Sequence, residues 1–367
     1  MKTIEARNVN QALQMGLKYL IEEGKEEQSR AGNVLVAPVP VMTVTRFPQE
    51  RVLFSSVRDA NPFFHLREAM WMLAGGNEVK ALTPYVSRFV EFAEPDGAIH
   101  GAYGYRWRHA LGFDQLEHVI DVLKADPTSR QCVIQMWDAR ENDVGQDFSE
   151  YGMHDLRGKW KDRPCNTHIY LRVKPEEQQN YYRTLNGVKE LVEMTPISAS
   201  LDLTVCCRSN DAIWGAHGAN AVHFSILQEY LAARIGVSVG KMYQLSNNYH
   251  AYLSELNRLA IRGECTLEKL PEIIEADHIT ETPRPLFDKP DAIDKDIQIF
   301  EQWCSDSNVL LSKNVYENNW FSDTLVPAMR AHALYKLNEK IAFSEANIIA
   351  AMDWRIACTE WLQRRKK

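Results

Sequence analysis

The sequence lacks any apolar run that approaches eighteen residues, and its first eight residues, M-K-T-I-E-A-R-N, lack the hydrophobic centre of a signal peptide. A membrane-spanning helix needs about 20 predominantly apolar residues, so neither an anchor nor export is predicted. The seven cysteines are odd in number, without the spacing of a disulfide framework, and no C-x-x-C pair suggests a zinc site. We therefore expect a cytoplasmic protein with free thiols and no metal.

Positive charge is in deficit, with 42 Lys and Arg residues against 49 Asp and Glu, which gives a net charge of −7. This balance argues against a general nucleic-acid surface, so an anionic ligand would need a local arginine cluster. The 367 residues exceed the usual ceiling of about 250–300 residues for a single core. We expect one large domain with added segments.

Helical and β-like patterns both occur along the chain. Helical spacing or composition marks residues 9–24, 65–73, 223–235 and 344–367. Short β-like runs cover residues 34–54, 131–137, 169–173 and 201–206, the last with the alternation of a half-buried strand. The pattern predicts an α+β fold with a mixed sheet flanked by helices. Compensation of a helix dipole explains the basic end at residues 364–367.

Cys165 stands behind a proline at the head of a β-like run, D-R-P-C-N-T-H-I-Y-L-R-V (residues 162–173), and a second such run ends in R-S-N-D (residues 208–211). A thiol attacks as the thiolate, which a nearby guanidinium stabilises. The alternative is that Cys165 is only a small residue at a strand entrance. This stretch alone leaves both interpretations open.

Six segments, in this order, resemble the thymidylate synthase family, which includes the pyrimidine nucleotide hydroxymethylases. They are H-L-R-E-A-M-W-M-L-A-G-G-N (65–77), D-G-A-I-H-G-A-Y-G-Y-R-W-R (96–108), D-P-T-S-R-Q (126–131), R-P-C-N (163–166), R-S-N-D-A-I-W-G-A-H-G-A-N (208–220) and N-N-Y-H-A-Y (247–252). The resemblance implies a three-layer, thymidylate-synthase-type catalytic domain over residues 1–255. Two polar stretches near residues 142–161 and 174–193 are interpreted as insertions, and residues 256–367 as a C-terminal helical extension.

The resemblance also implies a reaction: transfer of a one-carbon unit from 5,10-methylenetetrahydrofolate to C5 of a pyrimidine deoxynucleoside monophosphate. Cys165 would add to C6 and thereby make C5 nucleophilic. Glu68 would organise water and proton transfer, and Tyr103 would assist removal of the C5 proton. A glutamate inside an apolar helix is costly to bury without a task. A solvated helix face for Glu68 and simple packing for Tyr103 remain the alternatives.

The residues that would hold the two substrates follow from the same motifs. The implied phosphate ligands are Arg30, Arg130, Arg208 and Ser209. Those for the sugar hydroxyl are His250 and Tyr252, and those for the folate are Asp211, Phe89, Arg58 and Gly215. Arg130 would come from the partner subunit of a homodimer. Any one of these arginines, taken singly, could instead be a surface salt bridge.

Asn220 bears on the choice of base. A side-chain amide pairs with O4 and N3–H of uracil together, whereas cytosine favours a carboxylic acid. Asparagine therefore favours dUMP over dCMP. The segment has one residue more between Gly215 and Asn220 than the usual family spacing, so the placement of Asn220 depends on the structure.

Three departures from the family pattern favour a hydroxymethyl product over a methyl product. Phe89 stands where thymidylate synthases have a tryptophan beside the folate, and Asn166 follows the cysteine where histidine is usual. The chain also continues past the last motif to a basic helix instead of a short apolar tail. Each change alters the lid that excludes water. We therefore favour hydroxymethylation of dUMP, with thymidylate synthesis and hydroxymethylation of dCMP as alternatives.

Two other classes of function remain open. A hydrolase-type enzyme could use Cys165 with His168, although an odd offset along a strand places the two side chains on opposite faces. A catalytically silent family member could bind nucleotide or RNA. The presence of Cys165, Glu68 and Tyr103 argues against the silent protein, because binding alone needs no thiolate or proton-transfer group.

Overall fold

The computed structural model describes residues 1–138, 155, 160–175, 180–185, 188–194, 199–274, 282–305, 315–338 and 340–366. The segment interpreted as an insertion near residues 142–161 lies mostly outside the described residues. The second one, near 174–193, is described only in part. Among the described residues, no helix has both the length and the apolar character needed to cross a membrane.

Twelve strands and eleven α-helices form within the described residues. The strands are β1 (Lys2–Ala6), β2 (Lys25–Ser29), β3 (Gly32–Val36), β4 (Val41–Thr45), β5 (Val133–Gln135), β6 (Asn166–Pro175), β7 (Asn180–Leu185), β8 (Val188–Met194), β9 (Ala199–Cys207), β10 (Asn210–Asp211), β11 (Ser238–Ser246) and β12 (Tyr249–Tyr252). The helices are α1 (Val9–Glu23), α2 (Pro62–Leu73), α3 (Tyr103–Arg108), α4 (Gln115–Ala125), α5 (Asn220–Ile235), α6 (Leu253–Arg262), α7 (Leu270–Ile273), α8 (Ile293–Ser305), α9 (Val326–Lys336), α10 (Ala342–Asn347) and α11 (Met352–Gln363).

A six-stranded mixed sheet with the order β1-β4-β11-β9-β6-β5 lies at the centre of the fold. The pairs β1–β4 and β9–β11 are parallel, and the other neighbours are antiparallel. A second sheet has the order β10-β12-β3-β2, and β7 and β8 form a separate hairpin. The α+β architecture predicted from the sequence, a mixed sheet with helices packed against it, is confirmed.

Helix α2 is buried on every face. It contacts α5 on the catalytic side and α8, α9 and α11 of the C-terminal segment. The ring of Phe63 in α2 lies 5.4 Å from that of Trp361 in α11 and 5.3 Å from that of His332 in α9. A helix that is apolar nearly all round is stable only when it is enclosed in this way. The C-terminal helices therefore share one apolar core with α2, and the boundary proposed at residue 255 falls inside α6.

Some local predictions need correction. Residues 46–54, expected as strand, contain none. The alternation over residues 201–206 predicted one solvated face, but Asp202 on that face is buried, and its carboxylate pairs with Lys174 Nζ of the neighbouring strand β6 at 2.6 Å. The segment 344–367 contains parts of two helices, not one. At its basic end, Arg364 and Arg365 donate hydrogen bonds of 3.0 and 2.7 Å to Asp59, so a specific ion pair holds this end.

Candidate active site

Cys165 lies immediately before β6, where the chain enters the central sheet. Its carbonyl oxygen accepts a hydrogen bond of 2.9 Å from the backbone N–H of Arg208, which follows β9. The antiparallel pairing of β6 with β9 thus joins the two motifs. The exposed Arg208 guanidinium donates to the carbonyl of Pro164 at 3.0 Å. Burial raises the pKa of the Cys165 thiol, and Arg208 opposes that rise. Arg208 is therefore the cation that favours the thiolate.

Glu68 projects from α2 into the interior. Burial raises the pKa of its carboxyl to about 8, and the nearby Asp162 adds to the rise. Its Oε2 lies 3.1 Å from Nε2 of His223, whose pKa burial lowers to about 3. Both groups are therefore neutral at pH 7. A solvated helix face for Glu68 is wrong, since every residue of α2 is buried.

Tyr103 begins α3 and faces the same site. The backbone N–H of Cys165 donates to its hydroxyl oxygen, and its ring stacks on Phe224 with the centroids 6.1 Å apart. Burial raises the pKa of the hydroxyl well above its usual value. The hydroxyl of Tyr103 is thus held beside Cys165, which packing alone does not require.

Asp162 is a site residue that the sequence analysis did not single out. Burial raises the pKa of its carboxyl, against the opposing fields of Arg106, His100 and Arg208. A Cβ atom at Gly101 would lie 2.2 Å from its Oδ2, so this glycine leaves the space that the carboxylate occupies. An acidic residue three positions before Cys165 was the available signal.

An unusual helix precedes Asn220. Residues Ala212–Ala219 form a π-helical segment with a kink at His217 and Gly218, whose backbone angles are not helical. Helix α5 then begins at Asn220, which is buried.

The amide of Asn220 is held by a second asparagine. Its Nδ2 donates to Oδ1 of Asn210 at 3.1 Å, and Nδ2 of Asn210 donates to Oγ of Ser246 at 3.0 Å. A Cβ atom at Gly215 would lie 2.7 Å from Oδ1 of Asn210, so the glycine leaves room for this pair. Asn210, which sequence reasoning missed, fixes the orientation of the amide.

Asp211 keeps one carboxylate oxygen available. Its Oδ1 accepts hydrogen bonds from the backbone N–H groups of Ile213 (2.9 Å) and Trp214 (2.5 Å). Its Oδ2 is buried and has no partner within the described residues. Arg58 lies alongside: its Nε donates to the carbonyl of Ile213 at 3.1 Å, and its guanidinium lies 4.5 Å from the ring centre of Trp214. A ligand with an amidine-like edge fits the free oxygen.

The sugar and phosphate candidates also meet here. The parallel pair β10–β12 places His250 opposite Asp211. Tyr252 is hydrogen-bonded to Ser29, at the end of β2. Burial raises the pKa of Tyr252, the charges of Asp211 and Cys165 add to the rise, and Arg30 opposes it. The half-buried Ser209 directly follows Arg208.

Two of the predicted ligands lie apart from this cluster. Arg130 is exposed between α4 and β5. In the part of the chain that the structure describes, no hydrogen bond or ion pair joins it to the residues around Cys165. Phe89 packs on Phe64, at the start of α2, and on Phe92, with ring centroids 5.2 and 5.9 Å apart.

His168 does not form a local pair with Cys165. Its Nδ1 lies 3.1 Å from Oγ1 of Thr167, and its ring contacts Tyr170 at 4.6 Å, on the half-open face of the sheet. The hydrolase interpretation therefore has no Cys–His contact at this position.

Two buried polar atoms of this site, Asn166 Nδ2 and Asp211 Oδ2, have no hydrogen-bond partner among the described residues, while Glu68 Oε2 and His223 Nε2 face only each other. Buried polar atoms are normally bonded, so the two unpaired atoms call for an explanation. A polar ligand bound beside Cys165 supplies one.

Comparison with known proteins agrees with this geometry. The family model described as thymidylate synthase matches residues 12–289. The chain belongs to the thymidylate synthase family. The resemblance found in the six motifs is thus confirmed.

Three relatives come from bacteriophages, and each is named deoxyuridylate hydroxymethyltransferase. The one from Pseudomonas phage M6 is 36% identical over 378 residues, which cover 100% of this chain and 95% of the relative. The one from Bacillus phage SP01 is 31% identical over 65% of this chain and 56% of its own length. The one from Delftia phage PhiW-14 is 25% identical over 60% of this chain and 54% of its own length.

Proposed function

We propose that the protein hydroxymethylates dUMP at C5, with 5,10-methylenetetrahydrofolate as the one-carbon donor. The observation that carries this proposal is the amide of Asn220, held by Asn210 in the site that contains Cys165 and Glu68. The names of the phage relatives, one of them similar along the whole chain, support the same reaction.

The nucleotide is held so that Cys165 reaches C6 of the base. Arg208, Arg30 and Ser209 bind the phosphate, whose recognition by guanidinium groups needs no general basic surface. His250 and Tyr252 bind the sugar hydroxyl. The bond between the thiolate and C6 places the electron pair on C5 and O4, which makes C5 the nucleophile.

Asn220 selects uracil. With its Nδ2 directed by Asn210, the amide donates to O4 and its oxygen accepts from N3–H. Cytosine presents the opposite donor and acceptor at these two atoms. Asn220 donates to Asn210, which in turn donates to Ser246. These two hydrogen bonds prevent the Asn220 amide from exchanging the positions of its nitrogen and oxygen.

The folate candidates fit a reduced folate. Oδ2 of Asp211 can accept from the amidine-like edge of a pterin, and the buried Arg58 places a cation beside Trp214. Gly215 has no side chain to block the approach of the folate. Phe89 stands where thymidylate synthases have a tryptophan, whose larger indole would exclude water. The bound folate supplies the one-carbon unit to C5.

Glu68 and Tyr103 move protons around the base. Because the pKa of Glu68 is about 8, its carboxyl carries a proton at neutral pH and can stabilise negative charge on O4. The hydroxyl of Tyr103, held by the backbone of Cys165, assists removal of the C5 proton. With Asn166 and Phe89 at these positions, water can reach the methylene carbon attached to C5, which favours the hydroxymethyl product.

A homodimer completes the phosphate site in this proposal. Val133 and Tyr170 are cross-strand partners on β5 and β6, and both are exposed, at 40% and 47%. Large apolar side chains on an open sheet face support pairing with a second copy. Arg130 lies three residues before Val133, at the edge of that face, from which it can reach the partner's phosphate site. The domain boundary at residue 255 and the cytoplasmic location remain predictions from the sequence.

Mass spectrometry of the product tests the proposal. The protein is incubated with 5,10-methylenetetrahydrofolate and either dUMP or dCMP. We expect hydroxymethyl-dUMP with release of tetrahydrofolate. Thymidylate with dihydrofolate would instead support the methyl alternative, and turnover of dCMP alone would contradict the role of Asn220. The Cys165→Ala variant should lose turnover while it still binds dUMP; unchanged turnover would exclude Cys165 as the nucleophile.

A further inference from the structure

A second carboxylate, that of Asp162, shares the buried site with Glu68. Its Oδ2 takes the space that a side chain at Gly101 would need, since a Cβ atom there would lie only 2.2 Å away. Gly101 stands two residues before Tyr103. The carboxylate therefore lies against the turn that carries the hydroxyl held beside Cys165.

The segment that carries Asp162 is fixed on both sides. On one side, the backbone N–H of Lys161 donates to the Glu94 carboxylate at 2.8 Å. On the other, the carbonyl of Pro164 accepts from Nε of Arg208 at 3.0 Å. A side chain between two such anchors is held in place, as a group that acts on a reacting atom must be.

The charge of Asp162 acts on three groups of the site. Burial is the main cause of the raised pKa values of the Glu68 carboxyl, the Tyr103 hydroxyl and the Cys165 thiol, and Asp162 adds to each rise. Burial also raises the pKa of Asp162 itself, while the neighbouring cations and the backbone N–H of Arg163 oppose that rise. Two carboxyl groups in one site with different environments are the usual arrangement for an acid and a base. Glu68, protonated at neutral pH, is the acid of this pair.

We propose that Asp162 is the general base for the attack of water on the pyrimidine, an inference that rests on the proposed function. Once the folate has left, the base carries a methylene at C5 conjugated with the C4 carbonyl, and Cys165 is still bonded to C6. The water oxygen bonds to the methylene carbon while Asp162 takes a water proton. The electron pair of the exocyclic double bond moves to O4 as an enolate. The enolate then forms the C5–C6 double bond and expels the thiolate, and Asp162 returns its proton to solvent.

The Asp162→Asn variant keeps the shape of the side chain and removes the base. Assayed with dUMP that carries tritium at C5, it separates early steps from late ones, because tritium leaves before water attacks. We expect tritium release within about threefold of the unaltered protein. Hydroxymethyl-dUMP should fall by roughly 10²-fold, the lower end of what a general base contributes. With 2-mercaptoethanol present, the variant should form the thioether of the C5 methylene, detected by mass spectrometry.

Two further variants check the interpretation. Gly101→Ala displaces the Asp162 carboxylate without removing it. Like Asp162→Asn, it should lower the formation of hydroxymethyl-dUMP more than it lowers tritium release. Glu317→Gln, which removes one partner of an exposed ion pair with Lys295 outside this segment, is the matched control and should leave both readouts near normal. Equal loss of tritium release and product in Asp162→Asn, or loss of neither, would overturn the role of Asp162 and leave the proposed function intact. Thymidylate as the product of the unaltered protein would overturn both.

Discussion

Replacement of Asn220 by aspartate tests how the site selects its base. The amide makes two hydrogen bonds to uracil, whereas an aspartate carboxylate still accepts from N3–H but has no proton to donate to O4. An unpaired buried polar group costs about 1–3 kcal/mol. The lost donor therefore costs roughly 10- to 10²-fold in kcat/KM for dUMP. The protonated aspartate can donate to N3 of cytosine and accept from its amine, so turnover of dCMP should rise.

The neighbouring asparagine can adapt to this change. If the amide of Asn210 turns over, its Nδ2 donates to the aspartate and its Oδ1 accepts from the hydroxyl of Ser246, so the local hydrogen bonds persist. The assay is kcat/KM for both nucleotides at saturating folate, with Asn347→Asp on the distant helix α10 as the matched control. A variant that still prefers dUMP by the original factor would refute the reasoning.

Two further predictions concern charge. Because the pKa of Glu68 is raised from 4.5 to about 8, its protonated form is lost as pH rises through about 8, and we expect the rate to fall there. By the same shift, the contribution of Glu68 to the free energy of unfolding declines between pH 4.5 and about 8. Glu68→Gln should remove that part of the pH dependence of stability in urea titrations; an unchanged pH dependence would contradict the assignment. At Asp59, which accepts from Arg364 and Arg365 and has φ +50°, asparagine keeps the backbone conformation and loses the charge. After a discount for partial exposure, Asp59→Asn should cost about 1–2 kcal/mol of unfolding free energy; equal stability at pH 7 would show that the ion pair contributes nothing. Because these arginines hold the pKa of Asp59 below its usual value, the difference should disappear as pH falls through that lowered pKa.

The sequence predicted those parts of the site whose chemistry is written in short motifs. Cys165 behind its proline, Arg208 after the paired strand and Glu68 in an apolar helix each stand out from their neighbours. The π-helical segment before Asn220 was beyond sequence reasoning, because whether an extra residue shifts a helix or is absorbed in it depends on the packing around both ends.

Other errors came from contacts between distant parts of the chain. The basic end does follow the C-terminus of α11, as the dipole argument required, but nothing local indicated that Asp59, about 300 residues earlier, also accepts from Arg364 and Arg365. Asp202 looked solvated because alternation within one strand does not reveal that a neighbouring strand supplies Lys174.

The sequence by itself determined the family and the α+β class and predicted the nucleophile, since these depend on residue types at fixed spacing. Only the tertiary structure decided the electrostatic state of the site. Glu68 is neutral because α5 and the C-terminal helices enclose α2, and Asp162 reaches the reacting groups because Gly101 leaves room for it. The burial of a side chain and its distance from other groups depend on residues that are far apart in the chain. A local sequence pattern therefore cannot predict them.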